Sequence, residues 1–154
     1  MDINTGNIIC DIINSNRMDE LNILLRDYDP LSVIKICVSG WITEPDKIMH
    51  MLTKHRHLYT DGWLMSNCAF DLETHILESM HNIGINLNAE YKHNKIITNY
   101  FTQICQVKLG INRSSVIIVD NIKYLHKINC VYLDINVSKA NPEAQFCLAK
   151  IFTC

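Results

Sequence analysis

The chain has 154 residues, of which 48% are hydrophobic and 19% charged, so a packed core is expected and wholesale disorder is excluded. Its 14 Lys and Arg residues against 16 Asp and Glu residues give a formal net charge of −2. That balance excludes a global basic field that would attract nucleic acid or an anionic membrane. The length fits one domain of ordinary size, and we expect residues 1–154 to form a single helical domain.

The residue usage indicates an AT-rich genome. Ile occurs 23 times and Asn 16 times, whereas Ala, the best helix former, occurs only 5 times. Selection for helix stability does not explain this balance, but AT-rich codons do, because Ile and Asn both use them. A large DNA virus is one source with such a genome, and we take a viral source as the working hypothesis.

The N-terminal third predicts paired amphipathic helices. Residues 6–28 carry two apolar stripes separated by a polar break at residues 14–17, a pattern typical of a helical hairpin. A further helix is expected after Thr43, which is suited to cap it, with Pro45 in the first turn.

The middle of the chain predicts a turn and two helices. Asp61-Gly62 indicates a sharp reversal, because glycine adopts a positive φ without steric cost. Residues 69–83 carry apolar side chains at steps of three and four, which predicts an amphipathic helix that ends at Gly84. The longest helix of the chain is expected to span about residues 89–109.

The C-terminal third combines helices with the strongest strand pattern in the chain. Residues 115–127 are expected to be helical, although residues 116–119 also suit a buried strand. Residues 131–137 alternate apolar and polar side chains, which predicts a strand paired with 116–119 or 85–87. Asn141 should cap a last helix. The expected fold class is therefore mainly α, with seven or eight short amphipathic helices and a minor β element near residues 131–137.

The seven cysteines predict unpaired thiols in a reducing compartment. They are odd in number and form no CxxC motif, and no apolar leader is visible at the N-terminus, which favours a cytoplasmic location. The longest strictly aliphatic run, residues 116–119, is far too short for a membrane span.

The residues that could carry chemistry do not form a recognisable catalytic or metal motif. His50, His55 and His57 cluster in sequence but diverge on a helix, and His126 and Cys130 are the only helical i, i+4 pair of His and Cys. A structural zinc site needs four convergent ligands, so no metal and no cofactor are expected. We expect a protein that is not an enzyme, and a cysteine- or metal-dependent enzyme is the alternative.

Two short basic groups, residues 54–57 and residues 92–95, could contact phosphate or an acidic partner. Neither group is interleaved with stacking aromatic residues, and the chain around them carries a net charge of −2. Solvated helix faces are therefore the simpler interpretation of both.

Two tryptophans at predicted turns point to a partner-binding cluster. Tyr and Trp beside a basic residue resemble the chemistry of binding hot spots, and the alternative is that these rings close the core. We predict that the cluster lines a groove and binds a partner through Trp41, Arg56, Leu58, Tyr59, Trp63 and Leu64.

The hairpin of residues 6–28 resembles an ankyrin-type helical pair, with an apolar first helix, a polar turn and the pair Leu24 and Leu25 in the second helix. Residues 83–86 are similar to the hydrophobic-Gly-hydrophobic-Asn end of such a unit. The resemblance covers residues 6–88 and implies stacked helical pairs that bind another protein, as in the ankyrin proteins of large DNA viruses.

Residues 57–63, HLYTDGW, resemble the start of the first homology motif of viral Bcl-type helical bundle proteins. Ile36 and Gly40 have the spacing of the Leu and Gly of the third motif of that family. This second resemblance implies a helical bundle that binds death-signalling or immune-signalling proteins.

These observations predict a non-enzymatic cytosolic interaction module, a viral protein that binds and modulates a host protein of signalling, cell death or innate immunity. The alternatives are a helical subunit of a larger viral or regulatory assembly and the enzyme named above. The partner is expected to be a protein rather than nucleic acid or a membrane, and self-association is left open.

Overall fold

A computed structural model describes residues 3–15, 17–24 and 26–152 of the chain. The described residues contain nine α-helices, where seven or eight were expected, together with two 3-10 turns and one two-stranded antiparallel sheet. The prediction of a mainly α fold with a minor β element is confirmed. The elements in chain order are α1 (Ile3–Asn14), α2 (Met18–Leu24), α3 (Pro30–Cys37), α4 (Pro45–Lys54), a 3-10 turn (Arg56–Leu58), α5 (Asp61–Asn67), α6 (Thr74–Asn82), β1 (Glu90–His93), β2 (Ile96–Asn99), α7 (Tyr100–Cys105), α8 (Arg113–Lys127), a 3-10 turn (Val137–Lys139) and α9 (Pro142–Phe152).

Side-chain caps start several of these helices. Asn112 accepts the Ser115 N–H at 2.8 Å at the start of α8, and Asn141 accepts the Ala144 N–H at 2.9 Å at the start of α9. Each cap satisfies a backbone donor that the first helical turn leaves unpaired. The helices predicted for residues 115–127 and after Asn141 are confirmed. The second leucine of the Leu24-Leu25 pair lies outside the described residues.

Two predicted helix starts were wrong. The residue that precedes α4 is Glu44 rather than Thr43, and its side chain makes no capping hydrogen bond, although Pro45 does occupy the first helical position. Helix α6 begins at Thr74 rather than at residue 69, because the Ala69 N–H donates to the Val38 carbonyl and holds this part of the chain outside the helix.

The sharp reversal predicted at Asp61-Gly62 was also wrong, since both residues lie in the first turn of α5. Gly62 is not among the residues with positive φ. It is needed instead for close approach: a Cβ at this position would lie only 2.4 Å from the carbonyl oxygen of Glu90 in β1. The glycine therefore lets α5 pack against the base of the hairpin.

The long helix predicted for residues 89–109 was wrong, because a hairpin and a short helix share that range. Asn94 and Lys95 adopt positive φ values of 50° and 67° and form a two-residue turn that joins β1 to β2. Asn99 then adopts an extended conformation and accepts the Thr102 N–H at 2.8 Å, so helix α7 begins anew after β2. The apolar residues on both sides of Asn99 mimic one continuous helical stripe.

The strand predicted near residues 131–137 was wrong as well, and the β element lies at residues 90–99. Side chains, rather than a neighbouring strand, hold the backbone of this segment: Val131 N–H donates to Asn88 Oδ1, and Leu133 N–H donates to Thr102 Oγ1, both at 2.9 Å. Neither predicted partner is available, because residues 116–119 belong to α8 and residues 85–87 belong to no strand.

The buried apolar side chains form one connected core. Helix α1 packs on α2 and α3, α3 on α4, α4 on α6, α6 on α8, and α8 on α7 and α9, while the hairpin packs on α5. The largest fully buried side chains are Tyr100, Phe101, Ile9, Ile13, Leu21, Ile34, Ile42, Ile48, Met51, Leu52, Leu64 and Met65.

Buried asparagines join distant parts of this core. The Asn121 side chain is fully buried on α8 and donates to the carbonyls of Phe70 and Leu72, at 3.1 and 2.8 Å. Its Oδ1 also accepts the Thr74 hydroxyl at 2.6 Å. Because a buried amide costs free energy unless it is hydrogen-bonded, these contacts fix where the loop before α6 lies on α8.

Candidate functional site

Four of the six residues predicted to bind a partner lie close together, in a cluster that we call the aromatic junction: Arg56, Tyr59, Trp63 and Leu64, together with Lys35. Tyr59 is buried, and its hydroxyl donates to the Leu52 carbonyl at 2.7 Å. Leu64 is fully buried. Both side chains therefore belong to the core, which was the alternative interpretation of the sequence.

In the aromatic junction, two exposed cations lie over two aromatic rings that contact each other. The Arg56 guanidinium lies 5.2 Å from the centre of the Tyr59 ring, and the Tyr59 and Trp63 rings are 6.2 Å apart. Lys35 Nζ lies 5.9 Å from the centre of the Trp63 ring. Arg56 also forms an ion pair with Asp61. The cations and rings thus satisfy each other within the chain, in contacts of the cation–π type.

The remaining two predicted residues are more exposed. Leu58 is 42% exposed in the 3-10 turn, and Trp41 is 56% exposed after Gly40, which has a positive φ of 92°. The Trp41 ring lies beside Gly6 of α1: a Cβ at Gly6 would be 3.8 Å from it. It forms none of the ring pairs found among the described residues.

A second surface, which we call the groove face, is formed by residues 91–97 and 126–139. It carries a row of exposed aliphatic side chains: Ile96 is 68% exposed, Ile97 is 56% exposed, and Ile135 is fully exposed. Large aliphatic residues in such numbers on one surface are a feature of interaction sites. Sequence reasoning missed this face, because it assigned Ile96 and Ile97 to a buried helix stripe and Ile135 to a strand.

Two cavities flank the segment that crosses this face. The larger, of about 740 Å³, lies between the end of α8, residues 130–137 and Leu148 of α9. The smaller, of about 440 Å³, lies between the hairpin, α7 and residues 133–135. Residues 133–135 line both cavities and form the ridge between them. Both volumes are in the range of sites that bind ligands or side chains of a partner.

Within the described part of the chain, the backbone of residues 131–134 is hydrogen-bonded on one edge only. Val131 and Leu133 donate their N–H groups to Asn88 and Thr102, and Asn99 Nδ2 donates to the Val131 carbonyl at 2.8 Å. The N–H groups of Tyr132 and Asp134 donate to no acceptor among the described residues. This alternation is that of an extended chain with one paired edge and one unpaired edge.

The negative charge of Asp134 on the ridge is balanced by neighbouring donors and a lysine. Asp134 Oδ2 accepts from Gln106 Nε2 at 2.9 Å and lies 3.7 Å from Lys139 Nζ, and its Oδ1 accepts the Asn136 N–H at 2.9 Å. These contacts, that N–H foremost, hold the pKa of Asp134 below its ordinary value. Residues 91–97 and 126–139 contain four lysines and one aspartate, so the groove face is positive within an acidic chain.

The described cysteines are poorly suited to nucleophilic chemistry. All six are buried and none of them forms a disulfide. Burial raises the pKa of Cys37 and Cys68 to about 12, and that of Cys130, beside His126 in the larger cavity, to about 11. Because the thiolate is the reactive species, these groups remain weak nucleophiles at neutral pH.

In the described part of the chain, no three or more His, Cys, Asp or Glu side chains are grouped so that they could hold a metal ion. Among the helices of the described ranges, none combines the length and the apolar character that crossing a membrane requires. No protein-family model matches the chain, and neither does any curated protein or solved structure.

Proposed function

We propose that this chain is a non-enzymatic module that binds another protein through the groove face. The observation that carries the proposal is the ridge at residues 133–135, which is flanked by two cavities and bears the fully exposed Ile135. Burial of a large aliphatic side chain contributes about 1.5–3 kcal/mol, so covering the exposed isoleucines would drive association.

The groove face suits this function better than the aromatic junction does. In the junction, the two rings are covered by each other and by Arg56 and Lys35. On the groove face, exposed aliphatic side chains lie next to backbone groups that have no partner in the described residues. A partner at the junction would displace existing contacts, whereas one at the groove face adds new ones.

The amino-acid composition bears on where the module acts and on which class of protein it binds. If the AT-rich codon preference reflects a large DNA virus, the module acts in the host cytoplasm and its partner is a host protein of signalling, cell death or innate immunity. The helical-subunit alternative uses the same face, with another component of the assembly as the partner. The raised thiol pKa values disfavour the cysteine-enzyme alternative.

The experiment compares two isoleucines that are both fully exposed. Ile135→Asp places a charge on the ridge, while Ile111→Asp makes the same change in the loop before α8 and serves as the matched control. The immobilised full chain and both variants are incubated with host-cell extract, and bound proteins are quantified by mass spectrometry. Urea unfolding of all three chains checks that each is folded.

We expect at least one protein to be retained by the unsubstituted chain and by Ile111→Asp and to be lost, tenfold or more, with Ile135→Asp. If every retained protein binds the two variants equally well, the groove face is not the binding surface and the proposal is overturned.

A further inference from the structure

We propose that the partner docks as an extended segment, apolar at alternate positions and flanked by Asp or Glu, whose backbone pairs with Tyr132 and Asp134 along the larger cavity. This inference rests on the proposed function and adds the conformation and the charge of the partner segment.

The backbone of residues 131–134 offers one edge with no partner among the described residues. Residues 131 and 133 are bound through Asn88, Asn99 and Thr102 on the side that faces α7. In an extended chain, N–H and C=O groups point to opposite sides at successive residues, so those of Tyr132 and Asp134 point away from α7. A second strand can bind there by main-chain hydrogen bonds, which is the recognition mode called strand addition.

The cavity on this unpaired side fits apolar side chains. Thr102, which marks the bound side, lines the smaller cavity, whereas the larger cavity is lined from the other side by His126 and Leu148. The larger cavity therefore lies along the unpaired edge. Its lining includes Val131, Val137 and Leu148, so alternate apolar residues of an added strand can fill it while the others face solvent.

The surrounding charge favours an acidic segment. Lys127, next to His126 in the wall of the larger cavity, is exposed and forms no ion pair among the described residues, while the exposed Lys92 and Lys95 lie across the ridge on the hairpin. The aspartate of the ridge, Asp134, is already paired with Lys139. Acidic residues on either side of an apolar core complement this arrangement and raise the association rate.

The first step of the test finds a peptide probe. A phage-displayed library of random dodecapeptides is selected on the immobilised full chain and counter-selected on Ile135→Asp. We expect enriched sequences with apolar residues at alternate positions and Asp or Glu at the flanks. Enrichment of basic or uncharged flanks, or of sequences with helical apolar spacing, would overturn the inference.

The second step tests strand pairing directly. The best enriched peptide is synthesised with one N-methyl group at each position in turn, which removes a single backbone donor and leaves the side chains intact. Fluorescence anisotropy should show a loss of affinity of tenfold or more at two positions two residues apart, with little change at the position between them. Equal effects at all positions would refute strand addition.

The third step tests charge with a matched pair. Lys127→Gln should weaken binding of the acidic peptide severalfold, while Lys108→Gln, an exposed lysine outside the groove face, should not. Vesicles of phosphatidylcholine with and without phosphatidylserine serve as a second ligand. Vesicle binding that depends on Ile135 and Lys127, without peptide binding, would identify a membrane-binding face and overturn the inference.

The outcomes separate this inference from the proposed function. Peptides or extract proteins that need Ile135 but show no alternating N-methyl effect would refute strand addition and leave the binding face in place. A complete absence of Ile135-dependent peptides and proteins would refute both.

Discussion

In the aromatic junction, Tyr59 and Trp63 contact each other and two cations of the same chain. On the groove face, Ile97 and Ile135 are exposed, and the N–H groups of Tyr132 and Asp134 have no acceptor among the described residues. The junction has the residue types of a binding hot spot, but its contacts are made within the chain. The groove face has common aliphatic residues, yet its contacts remain to be made. Residue types therefore indicate which side chains are able to contribute binding energy. Only the fold shows whether those side chains already contact residues of the same chain.

The largest expected effect concerns the junction as part of the core. Leu64→Ala should lower the free energy of unfolding by about 2–5 kcal/mol, because it leaves a cavity at a fully buried position. Leu58→Ala, at a position that is 42% exposed, should cost less than about 1 kcal/mol. Urea unfolding measures both. Similar losses for the two variants would contradict the assignment of Leu64 to the core and of Leu58 to the surface.

The next effect concerns the support of the groove face. Asn99→Ala removes the cap of α7 and the donors to Val131 and Asn88, so we expect a loss of about 2–3 kcal/mol. Asn99→Asp keeps the cap acceptor but removes those donors. If the anchoring of Val131 matters, Asn99→Asp should not restore stability, and full recovery in urea unfolding would show that Asn99 acts only as a cap.

A smaller effect tests the contact of α5, which carries Trp63 and Leu64 of the junction, with the hairpin that leads into the groove face. Gly62→Ala should cost about 1–3 kcal/mol, because its Cβ would overlap the Glu90 carbonyl and push the hairpin away from α5. Gly6→Ala is the matched control: its Cβ would meet the Trp41 ring at an ordinary 3.8 Å, and removing a helical glycine should stabilise the chain by about 0.4–1 kcal/mol. Equal responses of the two variants in thermal unfolding would contradict this packing.

The smallest effect is a pH dependence that arises at His55, between α4 and the 3-10 turn that leads into the junction. Burial foremost, together with the charges of Lys54, His57 and His50, lowers the pKa of His55. Its contribution to stability should therefore be complete above the unfolded pKa of about 6.5 and should decline as the pH falls from there towards the folded pKa.

Replacing this imidazole should reduce the loss of stability on acidification. His55→Gln should flatten the dependence of the unfolding free energy on pH below about 6.5, while His93→Gln on the exposed hairpin serves as the comparison. An unchanged pH dependence in His55→Gln would show that the titration of this imidazole does not contribute to folding stability.

Much of the helical architecture could be predicted from the sequence because the information is local. Asn112 and Asn141 start α8 and α9 within three residues of the donors they cap, and the apolar residues Ala144, Cys147 and Leu148 of α9 share a buried face. The hairpin could not be predicted in the same way. Asn94 and Lys95 form its turn without the glycine that usually marks such turns, and Ile96, Ile97 and Tyr100 keep helical spacing across it.

The groove face depends on contacts between residues far apart in sequence. The pattern of residues 131–137 indicates an extended chain, but which edge is bound depends on Asn88, Asn99 and Thr102, which lie 31 to 43 positions away. No local pattern indicates that these side chains replace a neighbouring strand. Because these side chains take the place of a neighbouring strand, Ile135 is exposed, and this exposure could be recognised only in the fold.

The most direct test of the central claim asks which region touches the partner. The photoreactive residue p-benzoylphenylalanine is placed at position 135, at position 58 beside the junction and at position 111 as a control, in three otherwise unchanged full chains. After irradiation in host-cell extract, crosslinked products are identified by mass spectrometry. If the groove face binds the partner, we expect a defined protein to be crosslinked from position 135 and not from position 58 or 111. A defined crosslink from position 58 alone would contradict it and would place the binding site at the aromatic junction.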